Sequence, residues 1–220
     1  MSKNIFNFML FSKSDFWRAV AAGEAIAWLS WPILKNINFF AYLDSRYRES
    51  SYLFFVVWLI FVPVILLVWL YLTYQLSIRR WPVMFEVGKY GVVGWLNVFL
   101  HTSLFNFFIL ISGVVKGWLV DLFFMVAVVI TITCAFFWNK YWTFGFGQSG
   151  QAKMEYSKFF TVIAATSVFN VLLLHLIVNI IGAPAGLDPK IWANIALAII
   201  LPVSILGNFL GCKIFVFKKT

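Results

Sequence analysis

Polar and apolar positions along this chain fall into long blocks, without the short alternations of a water-soluble fold. Stretches free of Asp, Glu, Lys and Arg run from Ser50 to Ile78, Tyr90 to Val115, Leu122 to Asn139, Phe159 to Leu187 and Ile191 to Cys212. About 20 apolar residues cross a hydrocarbon core as a helix, so five membrane spans are predicted. Pro63 and Pro202 stand inside two of them and predict kinks, which membrane helices tolerate when neighbours satisfy the freed carbonyls. A sixth segment, Ala19 to Leu34, lies between Arg18 and Lys35 and carries Glu24. As a helix it rises about 24 Å. It reaches across only if the flanking basic side chains snorkel to the interface; otherwise it lies along the membrane surface.

Composition turns the bilayer from one solvent among several into the required one. Of 220 residues, 63% are hydrophobic, 20% aromatic and 11% charged, too few polar groups to cover a soluble surface. The 17 basic residues outnumber the 8 acidic ones, yet they are dispersed between apolar blocks and form no patch interleaved with stacking aromatics. Nucleic acid is therefore not the expected partner; an anionic lipid surface or ligand fits better. The basic residues also orient the spans. If Ala19–Leu34 crosses, only Lys35, Arg46, Arg48, Lys116 and Lys190 fall on the far side, five of the 17. The positive-inside rule then favours six spans with both termini cytoplasmic. The N-terminal run from Ile5 to Phe11 is interrupted by Asn7 and followed by no small-residue cleavage site, so no signal peptide is expected. Cys134 and Cys212 sit in apolar runs without metal-ligand spacing, which predicts neither a disulfide nor a metal site.

Comparing the chain with itself reveals a repeat. Glu86, Lys89 and Tyr90 open one helix; Glu155, Lys158 and Phe159 open another in the same E-x-x-K-aromatic form. Lys140, Trp142 and Phe144 close the first pair of helices, and Lys213, Phe215 and Phe217 close the second. Two spans return the chain to its starting side, so the units are parallel repeats about an axis along the membrane normal. The repeat puts Lys89, Lys140, Lys158 and Lys213 at one membrane face. Helix starts already attract anions, and lysines at helix ends override the opposing dipole there. For any one lysine the ordinary role is a snorkelling anchor among headgroups; as a symmetric set they are a candidate phosphate site.

Polar residues at membrane depth turn from lipid toward a neighbour or a wet cavity. Asn97 and His101 share one helix face, four apart; Thr166, Ser167 and Asn170 cluster in the second repeat, followed by His175 and Asn179. Asn139, Asn194, Ser204 and Asn208 complete the set. Interhelical hydrogen bonding is the ordinary role of any one of them, and a polar path for a hydroxylated group is the functional one. Glu24 either pairs with Arg18 or Lys35 near the interface or is a protonatable coupling acid. Gly88, Gly91 and Gly94 predict close helix packing. No nucleophile–base order, carboxylate pair or phosphate-cradling glycine loop occurs, so no catalytic residue, cofactor or enzymatic activity is predicted.

At this point the residues resemble the GtrA-like family. Lys89, Tyr90, Val93, Gly94 and Asn97 match its leading pattern, and Phe137, Asn139, Lys140, Tyr141, Trp142, Thr143 and Phe144 match its helix-ending pattern. The second copy reads Asn208, Phe209, Leu210, Cys212, Lys213, Phe215, Val216 and Phe217. Lysines stand where the family usually carries arginine, at Lys140 and Lys213, and Cys212 stands where an Asn is expected. Lysine cannot form a bidentate fork, so a geometric phosphate clamp is not expected there. The fold expected is an all-α polytopic membrane protein. Residues 1–80 form an N-terminal extension, a hairpin of helices about 19–41 and 52–76. Residues 86–219 form a GtrA-like four-helix domain of two parallel two-helix repeats, with helices about 90–111, 119–139, 159–181 and 191–212.

The resemblance implies translocation of a polyprenyl-phosphate-linked monosaccharide across the cytoplasmic membrane, for cell-wall polymer, O-antigen or related glycans. It further implies a polyprenyl-phosphate glycosyltransferase that loads the lipid and an outward-facing membrane glycosyltransferase that consumes it. Under that expectation Lys89, Lys140, Lys158 and Lys213 attract the phosphate, and Asn97, His101, Asn170 and Asn208 line the sugar path. Asn139, Trp142, Phe144 and Phe217 carry the motif. A thin bundle of this kind predicts a homodimer. Two other classes stand beside it: a small proton-coupled exporter of hydrophobic cations using Glu24, and a non-transporting scaffold for a glycosyltransferase.

Overall fold

A computed structural model describes residues 11–47, 50–81, 84–143 and 152–211. Among them the chain is helical, in the order α1 (Lys13–Asn36), α2 (Phe39–Arg46), α3 (Ser50–Arg79), α4 (Met84–Ser112), α5 (Trp118–Trp138), α6 (Ala152–His175) and α7 (Pro189–Gly211). A π-helical turn, Asn139–Thr143, continues α5, and another, Leu176–Ile181, continues α6. By length and composition, Ser50–Arg79, Met84–Ser112, Trp118–Thr143 and Ile163–Ile181 can each cross a membrane. Ile60, Val64, Val68 and Leu72 of α3 are exposed. A helix apolar all round has no aqueous side, so hydrocarbon is its solvent. The protein is an all-α, multi-pass membrane protein.

The N-terminal segment departs from the single helix expected over about 19–41. α1 starts earlier, at Lys13, because Ser12 and Asp15 cap it reciprocally, as described below. It stops at Asn36, and Asn38 then adopts a left-handed conformation (φ 58°) before the short α2. Asparagine tolerates that conformation better than most residues, and it separates the two helices.

The described parts of Met1–Trp31, Asn38–Leu100 and Ala135–Gly145 make one compact unit, and those of Pro32–Ile37, His101–Cys134 and Phe146–Thr220 make another. In the first, α1 buries Ala19, Ala22, Ile26 and Ala27 with Val62, Leu66 and Leu70 of α3, Val92, Val93 and Leu96 of α4, and Trp142. Those α1 positions recur at helical spacing and are mostly small, which lets backbones approach. Gly23 shows how closely: a Cβ there would lie 2.4 Å from Pro63 Cα. Gly88 plays the same part on α4, where a Cβ would lie 2.0 Å from Thr73 Oγ1 of α3, whereas Gly94 meets nothing within 4 Å.

The second unit packs Phe105 and Ile109 of α4, Val120 and Phe124 of α5, Leu174, Ile177 and Val178 around the second π turn, and Ala193, Ala196, Leu197 and Ile200 of α7. An asparagine chain ties its helices together. Asn36 Nδ2 donates to Asn106 Oδ1 at 2.8 Å, Asn106 Nδ2 donates to Asn194 Oδ1 at 2.8 Å, and Asn194 Nδ2 donates back to Asn106 Oδ1 at 2.8 Å. Asn194 therefore takes the interhelical bonding role, with Asn106 as its partner and Asn36 joined through Asn106, neither of which a sequence pattern singles out.

Candidate functional site

The best-connected polar centre is built around Asp15, in the first turn of α1. Ser12 Oγ accepts from the Asp15 backbone N–H at 3.0 Å, and Asp15 Oδ2 accepts from the Ser12 N–H at 3.1 Å and its hydroxyl at 2.7 Å. This reciprocal pairing is a capping box, which satisfies donors that a helix start leaves free. The other carboxylate oxygen is held from elsewhere in the unit. Lys89 Nζ lies 2.8 Å from Asp15 Oδ1, and Trp142 Nε1 donates to the same oxygen at 2.8 Å. Lys89 is 7% exposed, Asp15 5% and Trp142 4%. The ammonium also sits 4.3 Å above the Phe85 ring, a cation–π contact. Burial pushes the Asp15 carboxyl up, but the hydrogen bonds from Lys89, Ser12 and Trp142, with the charge of Lys89, outweigh it and hold the group below its ordinary value of 3.8. Two donors, one of them cationic, thus converge on one anionic oxygen in a dry setting.

Phe11 extends this centre with apolar surface. Its ring packs on Phe85 at 6.3 Å and on Tyr74 at 5.6 Å. With Phe16, Leu67, Val68, Tyr71 and Leu72 it lines a groove of about 270 Å³.

The other predicted residues have varied surroundings. Asn139 is buried and accepts from Thr143 Oγ1 at 3.0 Å within the first π turn, so its role there is local. Asn97 and His101 stand one turn apart on α4, and Asn170 is buried on α6. Asn97 Oδ1, His101 Nε2 and Asn170 Oδ1 are buried without a hydrogen-bond partner among the described residues; the His101 ring packs edge-on against Phe124 at 4.6 Å. Glu24 is half-buried on α1 and makes no ion pair with a described residue, so pairing with Arg18 or Lys35 is not seen. Lys213, Phe144 and Phe217 lie outside the described residues, as do the side chains of Lys140, Lys158 and Asn208. Of the four lysines, then, Lys89 has a defined partner, and that partner is an acid.

A second acid occupies the first turn of α5. Asp121 Oδ2 lies 2.5 Å from His175 Nδ1, and Asn179 Nδ2 donates to both carboxylate oxygens at 3.3 Å. The Gly117 N–H donates to Asn179 Oδ1. The His175 side chain is 46% exposed and that of Asp121 14%. This cluster joins the two repeats' helices α5 and α6, and its members satisfy one another.

The profile of the GtrA/DPMS transmembrane domain matches residues 89–217, more than half of the chain. The chain belongs to the GtrA/DPMS transmembrane-domain family. Neither a curated protein nor a solved structure matches it. The GtrA/DPMS domain begins at Lys89 and contains Trp142, so both donors that converge on Asp15 Oδ1 are domain residues, while Asp15 and Ser12 precede the domain. Sequence reasoning passed over Asp15. The signal that could have found it is the run Ser12, Lys13, Ser14, Asp15, a capping-box pattern just ahead of an apolar helix.

Proposed function

We propose that this GtrA/DPMS-domain protein translocates a polyprenyl-phosphate-linked monosaccharide from the cytoplasmic to the outer leaflet of the cytoplasmic membrane, for glycosylation of cell-surface polysaccharide. Family membership supports a lipid-linked sugar substrate and a non-enzymatic role. The observation that carries the reading is that Asn97 Oδ1, His101 Nε2 and Asn170 Oδ1, all on membrane helices, are buried without a hydrogen-bond partner among the described residues. Leaving a polar group buried and unpaired costs about 1–3 kcal/mol. Sugar hydroxyls both donate and accept, so each repays that cost as it passes. Asn208 is the fourth member of the path, and the repeat lysines Lys140, Lys158 and Lys213 draw in the phosphate, each as a point charge. The partners of this reading are a loading polyprenyl-phosphate glycosyltransferase, an outward-facing membrane glycosyltransferase and a second copy of the chain in a homodimer. Both termini are cytoplasmic if α1 crosses the membrane.

The test is leaflet exchange of a reducible short-chain polyprenyl-phosphate sugar in proteoliposomes. Exchange is expected to exceed that of protein-free vesicles and to fall at least tenfold with N97L/N170L or K140A/K213A. No acceleration by folded protein would remove the translocation reading. Stable co-purification with a glycosyltransferase would then favour the scaffold. Glu24, half-buried with no ion pair to a described residue, is the feature that favours the exporter; pH-dependent cation binding lost in E24Q would move the assignment there.

A further inference from the structure

Resting on the phosphate reading above, we infer that Asp15 is a resident stand-in for the phosphate ester: its carboxylate occupies the Lys89–Trp142 anion cradle, and the incoming lipid phosphate takes its place. Lys89 Nζ and Trp142 Nε1 each lie 2.8 Å from one Asp15 oxygen, the separation at which charge-assisted donors also hold a phosphate oxygen. Both belong to the matched domain, and the acid comes from the segment ahead of it. A domain lysine this deeply buried needs an anion, and here the preceding helix supplies one.

The geometry also lets the acid leave. Asp15 holds Ser12 through Oδ2 and the domain through Oδ1. The capping-box bonds connect residues three apart and travel with the helix start, so withdrawal of Asp15 costs the carboxylate its domain partners but not its local ones. Lys89 and Trp142, in contrast, are left with two donors and no acceptor. A phosphate ester restores both bonds.

The neighbouring surface argues for a lipid as the source of that phosphate. The groove lined by Phe11, Phe16, Leu67, Val68, Tyr71 and Leu72 lies beside the cradle: the Phe11 ring in its wall contacts the Phe85 ring beneath Lys89 at 6.3 Å. Hydrocarbon surface adjoining an anion cradle fits an amphiphile whose phosphate ester is attached to an isoprenoid chain. Free phosphate would use the cradle and leave the groove untouched.

Equilibrium binding to the full-length protein in nanodiscs tests this, with a short polyprenyl phosphate, the matching neutral polyprenol and inorganic phosphate as probes. D15N preserves shape and removes the competing charge, so polyprenyl phosphate should bind about tenfold more tightly than to wild type. D15S should do the same if its fold is intact. Adding K89M to D15N should abolish the gain, and polyprenol binding should not change in any variant. Equal tightening toward inorganic phosphate would support the exchange and assign the anion to a soluble source. Unchanged polyprenyl phosphate affinity in D15N and D15S, or a gain that survives K89M, would overturn the inference. The two readings fail separately. If D15N binds lipid phosphate more tightly while the protein accelerates no leaflet exchange, translocation falls and the stand-in remains; accelerated exchange with identical binding by wild type and D15N gives the reverse.

Discussion

Asp15 and Asp121 invite comparison, because each stands in the first turn of a helix and each accepts from a basic side chain and a further N–H. Asp15 is closed in, with Lys89 and Trp142 nearly as buried as itself. Asp121 faces His175, whose side chain is almost half exposed, and Asn179. The difference lies in the consequence of losing the acid. In a dry setting an unpartnered ammonium is a large penalty, whereas a half-exposed side chain has room to turn away from a lost partner. The first acid is required by its partner; the second adjusts to it.

The sharpest way to break this comparison is to delete both carboxylates and measure unfolding in mild detergent. D15A leaves Lys89 buried and unpaired and should cost about 3–5 kcal/mol. D15A/K89M removes both charges and should recover most of that loss, since replacing a whole buried pair by apolar groups is often nearly neutral. If the double variant is as unstable as D15A, the ion pair is not the reason. D121A should cost at most about 1 kcal/mol, in the range of exposed pairs. A loss equal to that of D15A would erase the distinction between the two centres.

Acid titration gives the smallest and most specific effect. The Asp15 carboxyl is held below 3.8 when folded, so the unfolded chain takes up its proton first on acidification. Its contribution is complete well above pH 3.8 and is lost as pH falls through the folded value. Wild type should therefore lose more stability below pH 4 than D15N, in which that proton is no longer bound. Parallel losses in the two proteins would show that Asp15 contributes nothing to acid sensitivity.

The hydrophobic blocks were legible because burial in lipid is a property of each segment by itself. The four spans found by length and composition all overlap blocks free of charge, and α4 and α5 start ahead of their blocks with the acids Glu86 and Asp121 in their first turns, where the helix dipole accommodates negative charge. The family was legible too, since its motif residues are contiguous around Lys89 and Trp142. The start of α1 was readable in principle from Ser12 and Asp15 but was expected several residues later, at the edge of the apolar run. Glu24 drew attention as an acid at membrane depth, although the acid that engages the domain is Asp15. Asn194 appeared in the polar inventory without Asn36 and Asn106, because its partner Asn106 lies 88 residues away, and Asn36, which bonds Asn106, stands on another helix again.

Local pattern and composition alone thus determined the solvent, the helical class, the approximate spans and the family of this protein. Each depends on the free energy of moving a short segment from water to hydrocarbon, which nearby residues set. Tertiary structure decided which polar groups meet. Trp142 reaches Asp15 across 127 residues of chain, and no periodicity records such a meeting, because it arises from the packing of helices distant in sequence. Whether Lys89 is a free cation or a neutralised one is a fact of packing, and it reverses what the residue can offer a ligand.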